Sequence, residues 1–487
     1  MSVSINVKRA MPAIGLLAVV ILFTLTVRPA AAASIVVDSP DDTTTAGDGD
    51  CTLREAMINA NSDSDTTGGD CDPGSGADAI TFAADYTITL DGSQLPAVTT
   101  AMTITGNGAG ATIIQAAAAA NTATWRVFEV GSGGALQLWD LTVRHGRCVG
   151  SCADAGDSGG GIMVLGNAAL SLYDSHLTAN AASTFGGALY AVDSQVRVER
   201  TVFTGNSSTG SGGAGGAIGT IGGRLDVFDS TFTTNAALVG GALYNIQGGF
   251  VNVSGSTFDR NQATTNFGGG VFNNGTVNVT NSTFSGNSAG AQGGGLANDG
   301  TATVTNSTFA GNLTGFGNAG AGNTYAFSGK TVTAVNTVFV RGTGFNCTGV
   351  TAAADSIADD STCGSATQKT AAEIALGPLA DNGGPTQTHA LLPGSAAIDV
   401  DANTGCTTAP VSGVDQRGEP RNVDVPGTGN DGGSNLCDAG AYEANYARLT
   451  LEKVTTPAGG QGFPFTIDPG AYSFDFKFGG SGSAVFQ

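Results

Sequence analysis

The sequence predicts an all-β fold, a right-handed parallel β-helix whose coils stack into a rod. Three observations carry this. First, a Gly-Gly-small-aliphatic opening recurs at Gly159, Gly186, Gly215, Gly240, Gly268 and Gly293, at intervals of 25 to 29 residues. A period of that size marks a solenoid, in which no repeat buries its apolar face alone and stacking makes the core. Second, every unit carries an alternating apolar pair: Leu170/Leu172, Val196/Val198, Leu225/Val227, Val251/Val253, Val277/Val279 and Ala302/Val304. That is the pattern of a strand with one buried face. Third, five residues beyond each pair stands Leu177, Phe203, Phe232, Phe258, Phe284 or Phe309. Length varies elsewhere in the unit but not across this corner. The corner therefore sets the stacking register, and the Phe residues are expected to form one internal column.

Each element of the unit has its own justification. The Gly pair serves positive φ or close backbone approach at a corner. The Asn that closes each unit, as at Asn206, Asn235, Asn261, Asn287 and Asn312, is expected to stack as a side-chain ladder or to occupy a left-handed turn. Asp174, Asp229, Asn281 and Asn306 share the position three before the Leu or Phe, a turn-forming slot; the Asn-Ser-Thr triplets there are turn chemistry rather than glycosylation sites. Helical repeats are a poor alternative, given a Gly pair in every unit and the abundance of Thr, Val and Asn, and a leucine-rich repeat lacks its Leu ladder. Looser strands are expected at 101–106, 111–115 and 135–143 upstream and at 331–339 downstream.

Composition bounds the function. Net charge is −21, which disfavours nucleic acid and anionic membrane surfaces as partners. Lys8 and Arg9 precede an apolar run from Met11 to Val27, with small residues at Ala31-Ala32-Ala33, the layout of a secretory signal. An uncleaved anchor is the alternative, since the run approaches spanning length. Eight cysteines fall as neighbours in sequence, Cys51/Cys71, Cys148/Cys152, Cys347/Cys363 and Cys406/Cys437, and in an exported chain are expected to be disulfides. Three His and no short Cys-x-x-Cys argue against a metal.

Two flanking regions resemble known modules. Cys51-Thr52-Leu53-Arg54-Glu55-Ala56 closely resembles the hexapeptide that names the CSLREA domain, with Thr for Ser. Physically, Thr52-x-x-Glu55 is a capping box, and Leu53, Met57 and Ala60 share one face of a short helix. Such a helix could cover the first coil, with Arg54 and Glu55 in structural roles. Leu376 to Asp399, then Asp415-Gln-Arg-Gly418 and Cys437-Asp-Ala-Gly-Ala-Tyr-Glu443, resemble the choice-of-anchor Q domain. Together these resemblances imply an exported bacterial surface protein and attach no activity. The repeats also resemble the passenger rods of polymorphic outer-membrane proteins, which are adhesins, without their terminal barrel. The tail, with strand-like runs at Arg448-Leu-Thr-Leu-Glu-Lys-Val454 and Tyr472-Ser-Phe-Asp-Phe-Lys-Phe478, resembles the opening of prealbumin-like stalk domains and is expected to be an incomplete domain.

The expected organisation is a signal peptide (1–33), a CSLREA-like cap (34–90), the β-helix (91–345), a choice-of-anchor Q-like C-terminal cap region (346–445) and a partial prealbumin-like β domain (446–487). The expected function is adhesion or carbohydrate binding at the cell surface or outside the cell, by a monomeric rod whose partners are glycans or other surface ligands. Binding would run through Asn, Thr and Ser side chains, helped by Tyr190 and Tyr244 if they point outward. The rival is a carbohydrate-active enzyme, pectate-lyase-like or polygalacturonase-like. It needs clustered carboxylates or carboxylates flanking a sugar bond, whereas Arg197, Glu199, Arg200 and Arg224 form the only charged cluster and read as a solvated face. No catalytic residue is assigned. Calcium is the one cofactor considered: Asp399, Asp401 and Asn403 mimic the start of an EF-hand loop, but Thr404 stands in place of its Gly and no Glu follows at the right distance. Asp424, Asn430 and Asp431 add oxygen donors nearby.

Overall fold

The chain folds as a parallel β-solenoid. The structure, a computed structural model, describes residues 33–150, 152, 156–400, 406, 410–421, 423, 425 and 437–445, with two short paired strands at Leu449–Glu452 and Ser483–Phe486. The expected signal segment and most of the stalk-like tail lie outside them.

Each coil has four sides, and each side continues through the rod as a parallel sheet. Sheet A has 12 strands and contains the alternating pairs, as in Ala169–Tyr173; sheet B, also 12-stranded, contains the Phe position, as in His176–Thr178. Sheet C has nine strands following the Gly pair, as in Leu189–Val192, and sheet D has seven two-residue strands after the Asn, as in Ala181–Ala182. Register is continuous: Leu170 pairs with Val196, then Leu225, Val251 and Val277. The ladders start at Ser34 and reach Gln368, beyond the expected 91–345 at both ends.

The core is a set of columns. Phe203, Phe232, Phe258, Phe284 and Phe309 are fully buried, and successive rings stack at 4.5–4.7 Å with planes within 4°. That distance is the strand spacing itself, so constant spacing in sequence becomes a continuous ring stack, extended by Phe339 at 5.5 Å. The closing Asn residues form the ladder. Asn235 Oδ1 accepts from both N and Nδ2 of Asn206 at 3.0 Å, and its Nδ2 donates to Phe203 O and to Asn261 Oδ1 at 2.9 Å. Every polar atom of this buried amide is thereby satisfied, which a low-dielectric interior demands. The two Gly of each opening divide the expected roles. Gly186 sits at φ +60°, while a Cβ on Gly187 would meet the Gly216 carbonyl oxygen of the next coil at 2.3 Å.

At the N-terminal end, helix α1 (Leu53–Ser62) packs against the strands Ser34–Val37 and Asp78–Phe82. Its capping box forms as expected, with Thr52 Oγ1 accepting from Glu55 N at 3.2 Å and Glu55 Oε2 accepting from Thr52 N at 3.1 Å. Leu53, Met57 and Ala60 are fully buried, and Arg54 pairs with Asp42 at 2.7 Å. The four disulfides join the expected neighbours: Cys51–Cys71, Cys148–Cys152, Cys347–Cys363 and Cys406–Cys437.

The C-terminal region differs from the expected end cap. After helix α2 (Ala371–Ile374), an antiparallel hairpin of Leu376–Ala380 and Thr388–Leu391 turns back, and the following segments lie along the outside of sheet B. Polar residues of the returning segments hold it there. Thr386 Oγ1 donates to Gly255 O at 2.7 Å, and Gln416 Oε1 accepts from Thr283 Oγ1 at 2.7 Å while its Nε2 donates to Thr257 Oγ1 at 2.9 Å. Arg421, fully buried, donates to Asn281 Oδ1 at 3.0 Å and lies 3.4 Å from Glu443. Val338 and Ile357 of sheet B join Ile374, Leu391 and Ile398 in a second, smaller core. The region is a lateral buttress because the hydroxyl column of sheet B offers it a row of hydrogen-bond partners.

Candidate binding face

With sheet B partly covered, sheet A presents the most developed open surface. Its strands alternate, so Leu225 and Val227 point inward and Arg224, Asp226 and Phe228 outward. Parallel register then turns sequence neighbours into columns across coils. Arg197, Asp226, Asn252, Asn278 and Thr303 are consecutive partners, as are Tyr173, Glu199, Phe228 and Ser254.

These side chains hold one another. Asn278 Nδ2 donates to Asn252 Oδ1 at 3.1 Å, and Asn252 Nδ2 donates to Asp226 Oδ1 at 2.8 Å. Arg224 clamps Asp226 through Nε at 2.6 Å and Nη2 at 2.8 Å, with its guanidinium 5.0 Å from the Phe250 ring. Arg197 bonds Glu199 at 2.7 Å and lies 4.6 Å from the Phe228 ring. Arg200 grips Asp174 with Nε at 2.7 Å and Nη2 at 2.8 Å and also pairs with Glu199. Further along the same face, Trp139 and Tyr173 stack at 3.8 Å. The result is a groove of about 550 Å³ lined by Arg197, Arg224, Phe228, Asn252 and Asn278, with Pro410 of the docked C-terminal region as one wall. A second crevice, of about 360 Å³, shares Ser254 and Pro410 with the first and continues to Asp229, Gly255 and Arg417.

The electrostatics separate two carboxyls. Burial works to raise Glu199, but hydrogen bonds from Arg197 and Arg200 outweigh it and hold the group below its ordinary range. Burial raises Asp229, the Glu199 charge adds to the rise, and Arg200 opposes it. Asp174, Glu199 and Asp226 are thus neutralised by arginine, while Asp229 is not.

Other expected positions fall elsewhere. Tyr190 is buried, so it is not an exposed contact: on the outer side of sheet C it stacks with Phe185 at 5.3 Å, and burial pushes its hydroxyl up to about 12. Tyr244 is half-buried in the same row, 5.3 Å from Phe272. The segment around Phe185 folds over these rings because they offer apolar area to cover. Asp174, Asp229, Asn281 and Asn306 all occupy the turn slot at φ 44–48°. Asp399 is buried in the C-terminal region, where its Oδ2 accepts from Val425 N at 3.1 Å. Asp401 and Asn403, like Asp424, Asn430 and Asp431, lie outside the described residues. Among the described residues no group of three or more His, Cys, Asp or Glu could hold a metal. The sequence did contain a signal for the groove: Phe228 and Phe250 break the outward pattern of Ser, Thr and Asn on neighbouring sheet A strands.

No protein-family model matches the chain, and no curated protein is significantly similar to it.

Proposed function

We propose that this protein is an exported binding rod that takes a glycan along the outer face of sheet A, in adhesion or other surface recognition. The observation that carries the proposal is the groove itself. Aromatic rings, arginines and amides stand in register on one open face, the combination that packs against sugar rings and hydrogen-bonds their hydroxyls. Each coil would contribute little, and repetition along the polymer would supply the affinity.

Four disulfides accord with an oxidising, extracellular setting, and no helix among the described residues is long and apolar enough to cross a membrane. The resemblance to CSLREA and choice-of-anchor Q modules is part of the same proposal and points to a bacterial surface. Binding is favoured over hydrolysis because the groove's own carboxylate, Asp226, is clamped by arginine and the neighbouring Glu199 and Asp174 are paired likewise. The test is a broad polysaccharide screen that scores both retained polymer and released sugar ends. Retention without release is expected; release of reducing or unsaturated ends would replace the rod with a hydrolase or lyase.

A further inference from the structure

The turn between sheets A and B lacks a side chain at Gly255, and that gap adjoins the groove. Asp174, Arg200, Asp229, Asn281, Asn306 and Asn336 fill this slot in their coils at φ 44–48°, but the coil after Asp229 has Gly255 at φ +63°. A Cβ there would lie 2.1 Å from Asp229 Oδ1, so the carboxyl leans into the space that the missing side chain leaves. On the far side, Asn281 is fully committed, donating to Val414 O at 2.9 Å and accepting from Arg421 at 3.0 Å. Arg200, the nearest cation of the slot, is spent on Asp174 and Glu199. Asp229 accepts no hydrogen bond from the described residues, and its crevice of about 360 Å³ opens into the groove past Ser254 and Pro410.

We propose that Asp229 and the gap at Gly255 form a specificity pocket for one neutral sugar unit, a branch or terminus with vicinal hydroxyls, on the glycan held by sheet A. This rests on the groove being the glycan site and deepens it. A carboxylate can accept from two adjacent hydroxyls at once. In a half-buried crevice, a unit lacking that hydroxyl pair would leave the acceptor unmatched and be rejected strongly. The crevice volume suits a small ligand group. Partial burial and the neighbouring Glu199 already make the unliganded carboxylate unfavourable, so hydroxyl donors would relieve it. The C-terminal region supplies the opposite wall, which gives its lateral docking a role in recognition.

The test compares wild type, Asp229→Asn, Gly255→Asn and Phe228→Ala on one glycan array, with melting temperatures measured in parallel. Asn suits the left-handed slot, as Asn281 and Asn306 show, so Asp229→Asn should melt like wild type, whereas Gly255→Asn must displace the Asp229 carboxyl, 2.1 Å from the new Cβ, and should melt lower while the rod stays folded. Each should lose at least tenfold of the signal on glycans sharing one branch or terminal sugar and keep the signal on linear chains. Phe228→Ala should weaken all of them. If the Asn variants reproduce the wild-type pattern while Phe228→Ala does not, the pocket is wrong and the groove stands. If the lost glycans share an amino group rather than a hydroxyl pair, the neutral-sugar assignment is wrong. A wild type that retains no glycan removes the groove and the pocket with it.

Discussion

The outer faces of sheets A and B are built by the same coils, yet one is bare and the other is occupied. On sheet B the outward column runs Thr231, Thr257, Thr283, Thr308, Val338 and Ile357. Hydroxyls at Thr257, Thr283 and Thr308 are taken by the returning chain, and the column turns aliphatic where that chain builds its own core. On sheet A the corresponding column is Arg197, Asp226, Asn252 and Asn278, whose groups bond sideways to one another. A solenoid therefore records in its outward columns what each face meets. Hydroxyls followed by aliphatics mark an intramolecular partner, while self-satisfied amides beside aromatics mark a face held ready for something else.

Substitutions can break that comparison at several depths. The largest effect should come from the core both faces share: Phe258→Ala interrupts the ring column and should cost about 3–5 kcal/mol in denaturant unfolding. Sheet B comes next. Arg421→Ala removes the buried cation beside Glu443 and the bond to Asn281, and loss of one partner of a buried pair costs about 3–5 kcal/mol. Because this falls on the docked region, limited proteolysis should cut within 376–445 while the rod stays resistant. Equal loss of rod and buttress would show that the two are a single cooperative unit.

A smaller effect is pH-dependent. Burial depresses His389, whose Nε2 lies 3.0 Å from Ser285 Oγ at the docking interface. The unfolded state therefore binds the proton more readily, so His389's contribution is complete above about pH 6.5 and is lost as pH falls below it. Protection of 376–391 against hydrogen exchange, taken relative to the intrinsic rate at each pH, should fall as pH is lowered from 7.5 to 5, and His389→Gln should flatten that dependence. Smallest on stability should be Phe228→Ala, an outward ring on sheet A, expected to change unfolding by less than about 1 kcal/mol. Its effect should appear in glycan retention instead.

Much of the rod was legible because its signals are local and repeated. The fixed step from Leu225/Val227 to Phe232 specified the ring column, and the recurrent Asn left two readings, a ladder or a left-handed turn, of which the ladder formed because each buried amide finds its equivalent in the next coil. The cysteine pairs were legible from short separations. The groove was less so. Arg197 and Asp226 stand far apart in sequence and meet only because parallel register places them side by side. The docking of Gln416 and Arg421 on sheet B was hidden for the same reason: nothing local tells Gln416 that Thr257 and Thr283 are its partners. Tyr190 failed as an exposed contact because the loop carrying Phe185 covers it, and loop paths leave no periodic trace.

The central claim is that sheet A is the open, ligand-bearing face. Hydroxyl-radical footprinting of the rod with and without a retained polysaccharide tests this directly, since oxidation of aromatic side chains reports their cover. The account predicts protection of Trp139, Tyr173, Phe228 and Phe250 with Tyr244 and Phe272 on sheet C unchanged. Protection confined to the sheet C row, with the sheet A rings as reactive as before, would contradict it.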